Sequence, residues 1–131
     1  MSNNKGKVAI VTGAAKNIGR ATCESLAKLG YNILVHANSD KEGADETIKL
    51  IKQTGILSNR VIGDLTNPET SKELVSEASK LGKVSVLVNN ASQREFNKFE
   101  ERIARTLEKK HLAEEKTGEK KVYLANVRAE T

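Results

Sequence analysis

Cysteine, proline and aromatic rings are scarce in this chain, and each scarcity removes a class of fold. Its 131 residues include one cysteine, one proline, two tyrosines, two phenylalanines and no tryptophan. A lone Cys23 cannot close an intrachain disulfide, so a stapled scaffold is excluded and a reducing compartment is the default. Cys23 sits in a helical pattern, where a small packed thiol is the expected role. No apolar run approaches the roughly 18 residues of a membrane span, and Met1 to Lys7 lacks the apolar core of a targeting peptide. The expectation is a soluble, cytoplasmic protein with no membrane partner. The net charge of +5 is not concentrated in one block, which argues against a nucleic-acid partner. No metal site is expected.

What is present is Ile, Leu, Val and Ala in short runs, the composition of buried parallel strands. A chain of this length fits one domain and can bury roughly two-thirds of its unfolded surface. Val8-Ala9-Ile10-Val11 reads as a first strand, and Ile18, Ala21, Thr22, Ser25, Leu26 and Leu29 keep helical spacing up to Gly30. Asn32 to His36 reads as a second strand, with a helix from about Asp40 to near Gly55. A third strand is predicted from about Arg60 to Gly63. Asn67 is placed to cap a helix with Pro68 at its first position, and Leu74, Val75, Ala78 and Leu81 supply its apolar stripe. Val84 to Val88 reads as a fourth strand, leading into Asn89-Asn90-Ala91-Ser92.

Four strands alternating with three helices predict a parallel α/β sheet with right-handed crossovers. In the order 3-2-1-4, a ligand crevice opens at the carboxyl ends of the first and fourth strands. Composition shifts near Gln93, so residues 1–93 form one segment and 94–131 another within the same domain. More than half of the residues from Asn97 to Lys121 are charged, yet Phe96, Phe99, Ile103 and Leu107 keep helical spacing. A long charged amphipathic helix is predicted there, and Val122 to Val127 is a candidate fifth strand beside the fourth.

The stretch Thr12-Gly13-Ala14-Ala15-Lys16-Asn17-Ile18-Gly19-Arg20 joins the first strand to the first helix. A helix entered through small residues directs unpaired N–H groups and the positive end of its dipole at an anion above the strand. Gly13 allows the sharp turn, and Gly19 allows helix and sheet to approach. Asn17 tolerates left-handed backbone better than most residues.

These residues resemble the short-chain dehydrogenase/reductase family. Thr12-Gly13 through Ile18-Gly19 is similar to its glycine fingerprint, Asp64-Leu65 to its adenine-ring contact, and Asn89-Asn90-Ala91-Ser92 to its Asn-Asn-Ala-Gly motif. Asn17 and Ser92 depart from glycines in that pattern, as in the pteridine reductase and some ketoacyl reductase branches. The resemblance runs from Val8 to about Phe96. It implies a Rossmann-like doubly wound sheet, truncated at four to five strands, and hydride transfer to or from a carbonyl, an alcohol or a pterin.

The end of the second strand is His36-Ala37-Asn38-Ser39, with no acid before Asp40, and Lys16 offers a cation to an added phosphate. NADP(H) is therefore the expected cofactor, through Gly13, Lys16, Asn17, Ile18, Gly19, Asn38, Ser39, Asp64, Leu65, Asn90 and Ala91. Asp40 is read as a helix N-cap, His36 as a partly exposed residue lining the adenosine side, and His111 as a solvated surface residue.

The catalytic Tyr with a Lys four residues later, which the resemblance implies, has no counterpart. Tyr31 is followed at that spacing by Val35 and Tyr123 by Val127. No catalytic residue is assigned, and the chain reads as a truncated or remodelled reductase that is incomplete alone. Two other readings fit the same residues: a scaffold that assembles as a homo-oligomer through the charged helix, or foreign sequence after Phe96.

Overall fold

The computed structural model describes residues 4–90, Ile103 and Tyr123–Asn126. All of the predicted charged helix except Ile103, together with Ala91, Ser92 and His111, lies outside the described residues. Strands β1 (Lys7–Val11), β2 (Asn32–Ala37), β3 (Ser58–Ile62), β4 (Lys83–Asn89) and β5 (Tyr123–Asn126) form one parallel sheet in the order β3-β2-β1-β4-β5. Helices α1 (Asn17–Lys28), α2 (Lys41–Lys52) and α3 (Pro68–Ser79) supply the crossovers.

Alternation along the strands divides the core in two. Val8 and Ile10 of β1 join Leu34, Val61, Leu74, Val75 and Leu87 on the α3 side. Ala9 and Val11 join Cys23, Ala27, Ile33, Val35, Ala44, Ile51, Val86 and Val88 on the side of α1 and α2. Both faces of β1 are thus covered, and Val8 to Val11 are all fully buried. A continuous apolar run is what a central parallel strand requires, each large side chain contributing about 1.5–3 kcal/mol. Ile103 is helical and fully buried in the α3-side cluster. Cys23 packs as expected, and burial pushes its thiol up to about 12.

The helix ends follow their local chemistry. The Asp40 carboxylate accepts the Gly43 N–H at 2.9 Å and caps α2. Asn67 caps α3 by accepting from Glu69 N–H, with Pro68 in the first turn. Gly30 and Gly55 follow α1 and α2 in left-handed backbone. The third strand begins at Ser58, two residues before its predicted start. Its side chains are largely half-buried or exposed, so backbone pairing with β2, Ile33 to Ser58 through Ala37 to Ile62, sets its extent. No apolar pattern marks such an edge strand.

Candidate functional site at the carboxyl edge of β1 and β4

The chain leaves β1 through Thr12, whose side chain is buried between the two central strands. Thr12 Oγ1 accepts the Asn90 N–H at 3.0 Å and donates to Asn89 Oδ1 at 3.0 Å. Asn90 Nδ2 donates to the Gly13 carbonyl at 2.9 Å. The ends of β1 and β4 are thereby bound to each other where the sheet order reverses direction. Thr12 opens the fingerprint stretch but was not among the predicted site residues; its task of tying β1 to β4 shows only once the partner strand is known.

Gly13 takes φ +61 and turns the chain towards α1. Lys16 is extended at the N-cap, and Asn17 follows at φ +54, left-handed as its residue type permits. Helix α1 differs from the other two at this end. Its N-cap makes no side-chain hydrogen bond and its first turn holds no acid, whereas α2 and α3 have Asp40 and Asn67 as caps and Glu42 and Glu69 in the first turn. The N–H groups of Asn17, Ile18 and Gly19 open the helix, where no intrahelical acceptor exists. The side chains of Lys16, Asn17 and Ile18 are exposed around them.

Gly19 brings the helix onto the sheet. A Cβ there would strike the Gly13 carbonyl oxygen and lie 2.8 Å from Asn90 Nδ2 and 2.9 Å from Ala14 Cα. Arg20 reinforces the turn from the other side. Its Nε donates to Thr47 Oγ1 at 3.0 Å, and its Nη2 donates to the Ala15 and Gly43 carbonyls and pairs with Glu46 at 3.3 Å. The guanidinium is therefore committed to joining α1 and α2, which leaves Lys16 as the cation at the mouth of the loop.

One expectation is corrected here. His36 is 1% exposed, not half in solvent, because its side chain points into the α3 side of the sheet. Its Nδ1 accepts the Gly13 N–H at 3.1 Å and its Nε2 lies 2.8 Å from the Gly63 carbonyl. Burial holds its pKa below the ordinary value, against the opposing effects of the Gly63 hydrogen bond and the Asp64 charge. Several N–H groups of the loop are engaged within the protein. Gly13 N–H is spent on His36 Nδ1, Ala14 N–H on the His36 carbonyl at 2.8 Å, and Arg20 N–H on the Lys16 carbonyl at 3.3 Å. The N–H groups of the first turn of α1 remain without an acceptor inside the helix.

Asn38 and Ser39 are exposed at the end of β2. Asp64 is exposed after β3, where Thr66 N–H and Oγ1 each donate to its Oδ1 at 2.8 Å and hold its carboxyl below the usual range. Leu65 is only 2% exposed, and its side chain packs in the α3-side core. Among the described residues no cluster of three or more His, Cys, Asp or Glu could hold a metal ion, and no helix is long and apolar enough to cross a membrane.

An open parallel sheet, with helices as crossovers and its order reversing between β1 and β4, defines an α/β protein of the Rossmann type. Residues 7–111 match the family model described as short chain dehydrogenase, and the chain belongs to that family. It is 37% identical over 100 residues to an L-rhamnose 1-dehydrogenase (NADP(+)) of Thermoplasma acidophilum, covering 76% of this chain and 39% of that protein. An acetoin dehydrogenase from Salmonella typhimurium superposes with a TM-score of 0.63 at 39% identity, over 67% of this chain and 35% of that one. A Burkholderia cenocepacia structure, described as that of a dehydrogenase with bound NADP, gives 0.63 at 26% identity over 69% and 36% of the two chains. The chain spans less than half the length of the curated relatives it matches.

Proposed function

We propose that this chain carries the NADP(H)-binding half of a short-chain dehydrogenase/reductase. The first turn of α1 supports this reading most directly, being without acid or side-chain cap and seated so close to Asn90 that Gly19 has no room for a Cβ. Such a turn suits a pyrophosphate, with Asn17, Ile18 and Gly19 offering main-chain donors. Gly13 and Asn90 shape the turn, and Ala91 continues the same motif. Asp64 and Leu65 lie at the end of β3, in the place suited to the adenine ring. Residues 1–93 form the binding segment, and the burial of Ile103 in its core supports assigning 94–131 to the same domain.

Preference for NADP(H) over NAD(H) rests on charge. The Asp40 carboxylate is occupied as the α2 cap, Asn38 and Ser39 at the strand end are uncharged, and Lys16 is exposed beside the loop. A charge-assisted bond from Lys16 to a 2′-phosphate is worth about 1.5–3 kcal/mol. The names of the rhamnose relative and of the NADP-bound neighbour agree with that choice.

The bound nicotinamide supplies hydride transfer at a carbonyl or alcohol carbon. The rhamnose and acetoin dehydrogenases favour that pair over a pterin. This chain's own residues bind and orient the nucleotide; neither tyrosine has, four residues on, the lysine that would activate it as proton donor. Titration with NADPH and NADH, followed by nucleotide fluorescence, tests the reading. Saturable binding with NADPH the tighter ligand is expected. No saturation by either at millimolar levels overturns the cofactor assignment, and tighter NADH overturns the preference.

A further inference from the structure

We propose that His36 is a positioning residue for the glycine loop, a neutral ring that ties Gly13 to the turn after β3 and releases the loop when acid protonates it. The inference rests on the cofactor reading above and goes beyond it. Neither the family match nor any motif in the sequence gives this residue such a task.

The two hydrogen bonds fix the tautomer. A backbone N–H can only donate, so Nδ1, 3.1 Å from Gly13 N, must be the unprotonated nitrogen. A carbonyl can only accept, so Nε2, 2.8 Å from the Gly63 oxygen, must carry the proton. One neutral imidazole therefore satisfies a donor on the β1–α1 loop and an acceptor at the end of β3. The backbone of the same residue adds a third tie, the His36 carbonyl accepting from Ala14 N–H at 2.8 Å. Two successive amides of the loop are thus anchored to one position of β2.

Protonation would place an Nδ1–H against the Gly13 N–H, two donors face to face in a site 1% exposed. The loop must then move or the ring must leave. Either displaces Gly13, whose carbonyl also receives Asn90 Nδ2, and with it the seat of Gly19.

The surroundings leave little to counter the new charge. From the β1 side the ring meets the Gly13 N–H, and no residue from Val8 to Gly13 carries an ionisable side chain. The residue beside it on β3 is Val61, and neighbouring Arg60 is paired with Asp45 at 2.9 Å. Helix α3 turns Thr70, Ser71 and Leu74 inward and keeps Glu69, Lys72 and Glu73 exposed. Asp64, after β3, is the carboxylate that acts on the ring, and it is exposed and already holds Thr66. Burial outweighs it, so the ring stays neutral to lower pH than a free histidine.

Two substitutions separate the two ends of the bridge. His36→Asn places an oxygen near the Nδ1 position and cannot be protonated in this range; His36→Gln places an amide near the Nε2 position and removes the acceptor for Gly13. NADP+ affinity of the full chain is measured from about pH 8 to about pH 5, the range over which histidine changes charge. For the native chain the apparent Kd is expected to rise towards tenfold per pH unit once the ring begins to protonate. His36→Asn should bind but follow a flatter profile. Both carry the same contribution from the 2′-phosphate, whose second pKa is near 6. His36→Gln should bind about tenfold or more weakly throughout.

Nitrogen NMR of the nucleotide-free chain reads the bridge without reference to cofactor. Nδ1 should show as unprotonated at neutral pH, and the Gly13 amide should shift with the ring's titration. A proton on Nδ1, a Gly13 amide indifferent to that titration, or identical pH profiles for the native chain and His36→Asn would overturn the proposal. If neither binds NADP+ at neutral pH while the NMR signature holds, the cofactor reading fails and the bridge stands.

Discussion

Replacing Gly19 by alanine tests the seating of α1 on the sheet. The backbone there is ordinary helix, so alanine meets no conformational penalty and would gain about 0.8–1 kcal/mol in helix propensity. Space opposes it. The added methyl falls on the Gly13 carbonyl oxygen, with Asn90 Nδ2 at 2.8 Å and Ala14 Cα at 2.9 Å, and two of these three are main-chain atoms that cannot swing aside. Overpacking of this kind costs about 1–3 kcal/mol, and loss of the Asn90 to Gly13 hydrogen bond adds about 1 kcal/mol. The balance is a net loss of about 1–3 kcal/mol, or a Tm lower by roughly 4–12 °C in a domain near this size. Ser25→Ala, on the exposed side of the same helix, is the control for propensity and should not lower Tm. Far-UV circular dichroism melts give the stability, and NADPH fluorescence gives the affinity, which should fall about tenfold if the first turn moves by even 1.4 kcal/mol of lost contact. A Gly19→Ala chain that melts with the control and binds like the native protein would show that helix and strand are not in the contact described.

Three further outcomes follow from single features. Asn17→Gly should be neutral or slightly stabilising and Asn17→Val should lower stability by about 1–2 kcal/mol in urea unfolding, because the backbone there is left-handed at φ +54. Asp40→Ala should remove the α2 cap, at about 0.5–2 kcal/mol, while leaving the ratio of NADPH to NADH affinity unchanged; a selective loss of NADH binding would place that carboxylate on the ribose instead. Stability should fall on acidification in two windows. His36, with its pKa lowered by burial, contributes stability that is complete above 6.5 and is lost as pH falls through its depressed folded value. Asp64, lowered by its bonds from Thr66, contributes stability present above 3.8 and lost as pH falls through its own depressed value. Denaturant midpoints measured against pH should lose the upper window in His36→Asn and the lower one in Asp64→Asn.

The parts of this protein that depend on neighbours along the chain are readable from its residues. The strand, glycine turn and helix at the start, the caps at Asp40 and Asn67, and the left-handed Asn17 follow from side chains acting within a few positions of themselves. The unbroken apolar run from Val8 to Val11 likewise marked a strand buried on both faces, and the absence of an acid before Asp40 set the charge at the end of β2. What remained hidden depends on groups brought together from distant strands. Ser58 joins β3 only because β2 offers it a backbone partner. Thr12 matters because Asn89 and Asn90 arrive 77 and 78 residues later. His36 is polar at the end of a strand, and no local rule distinguishes a residue facing solvent from one sealed between two loops. Which amides of the glycine turn stay open to an anion was decided the same way, since a donor's partner is set by where the sheet places the acceptor.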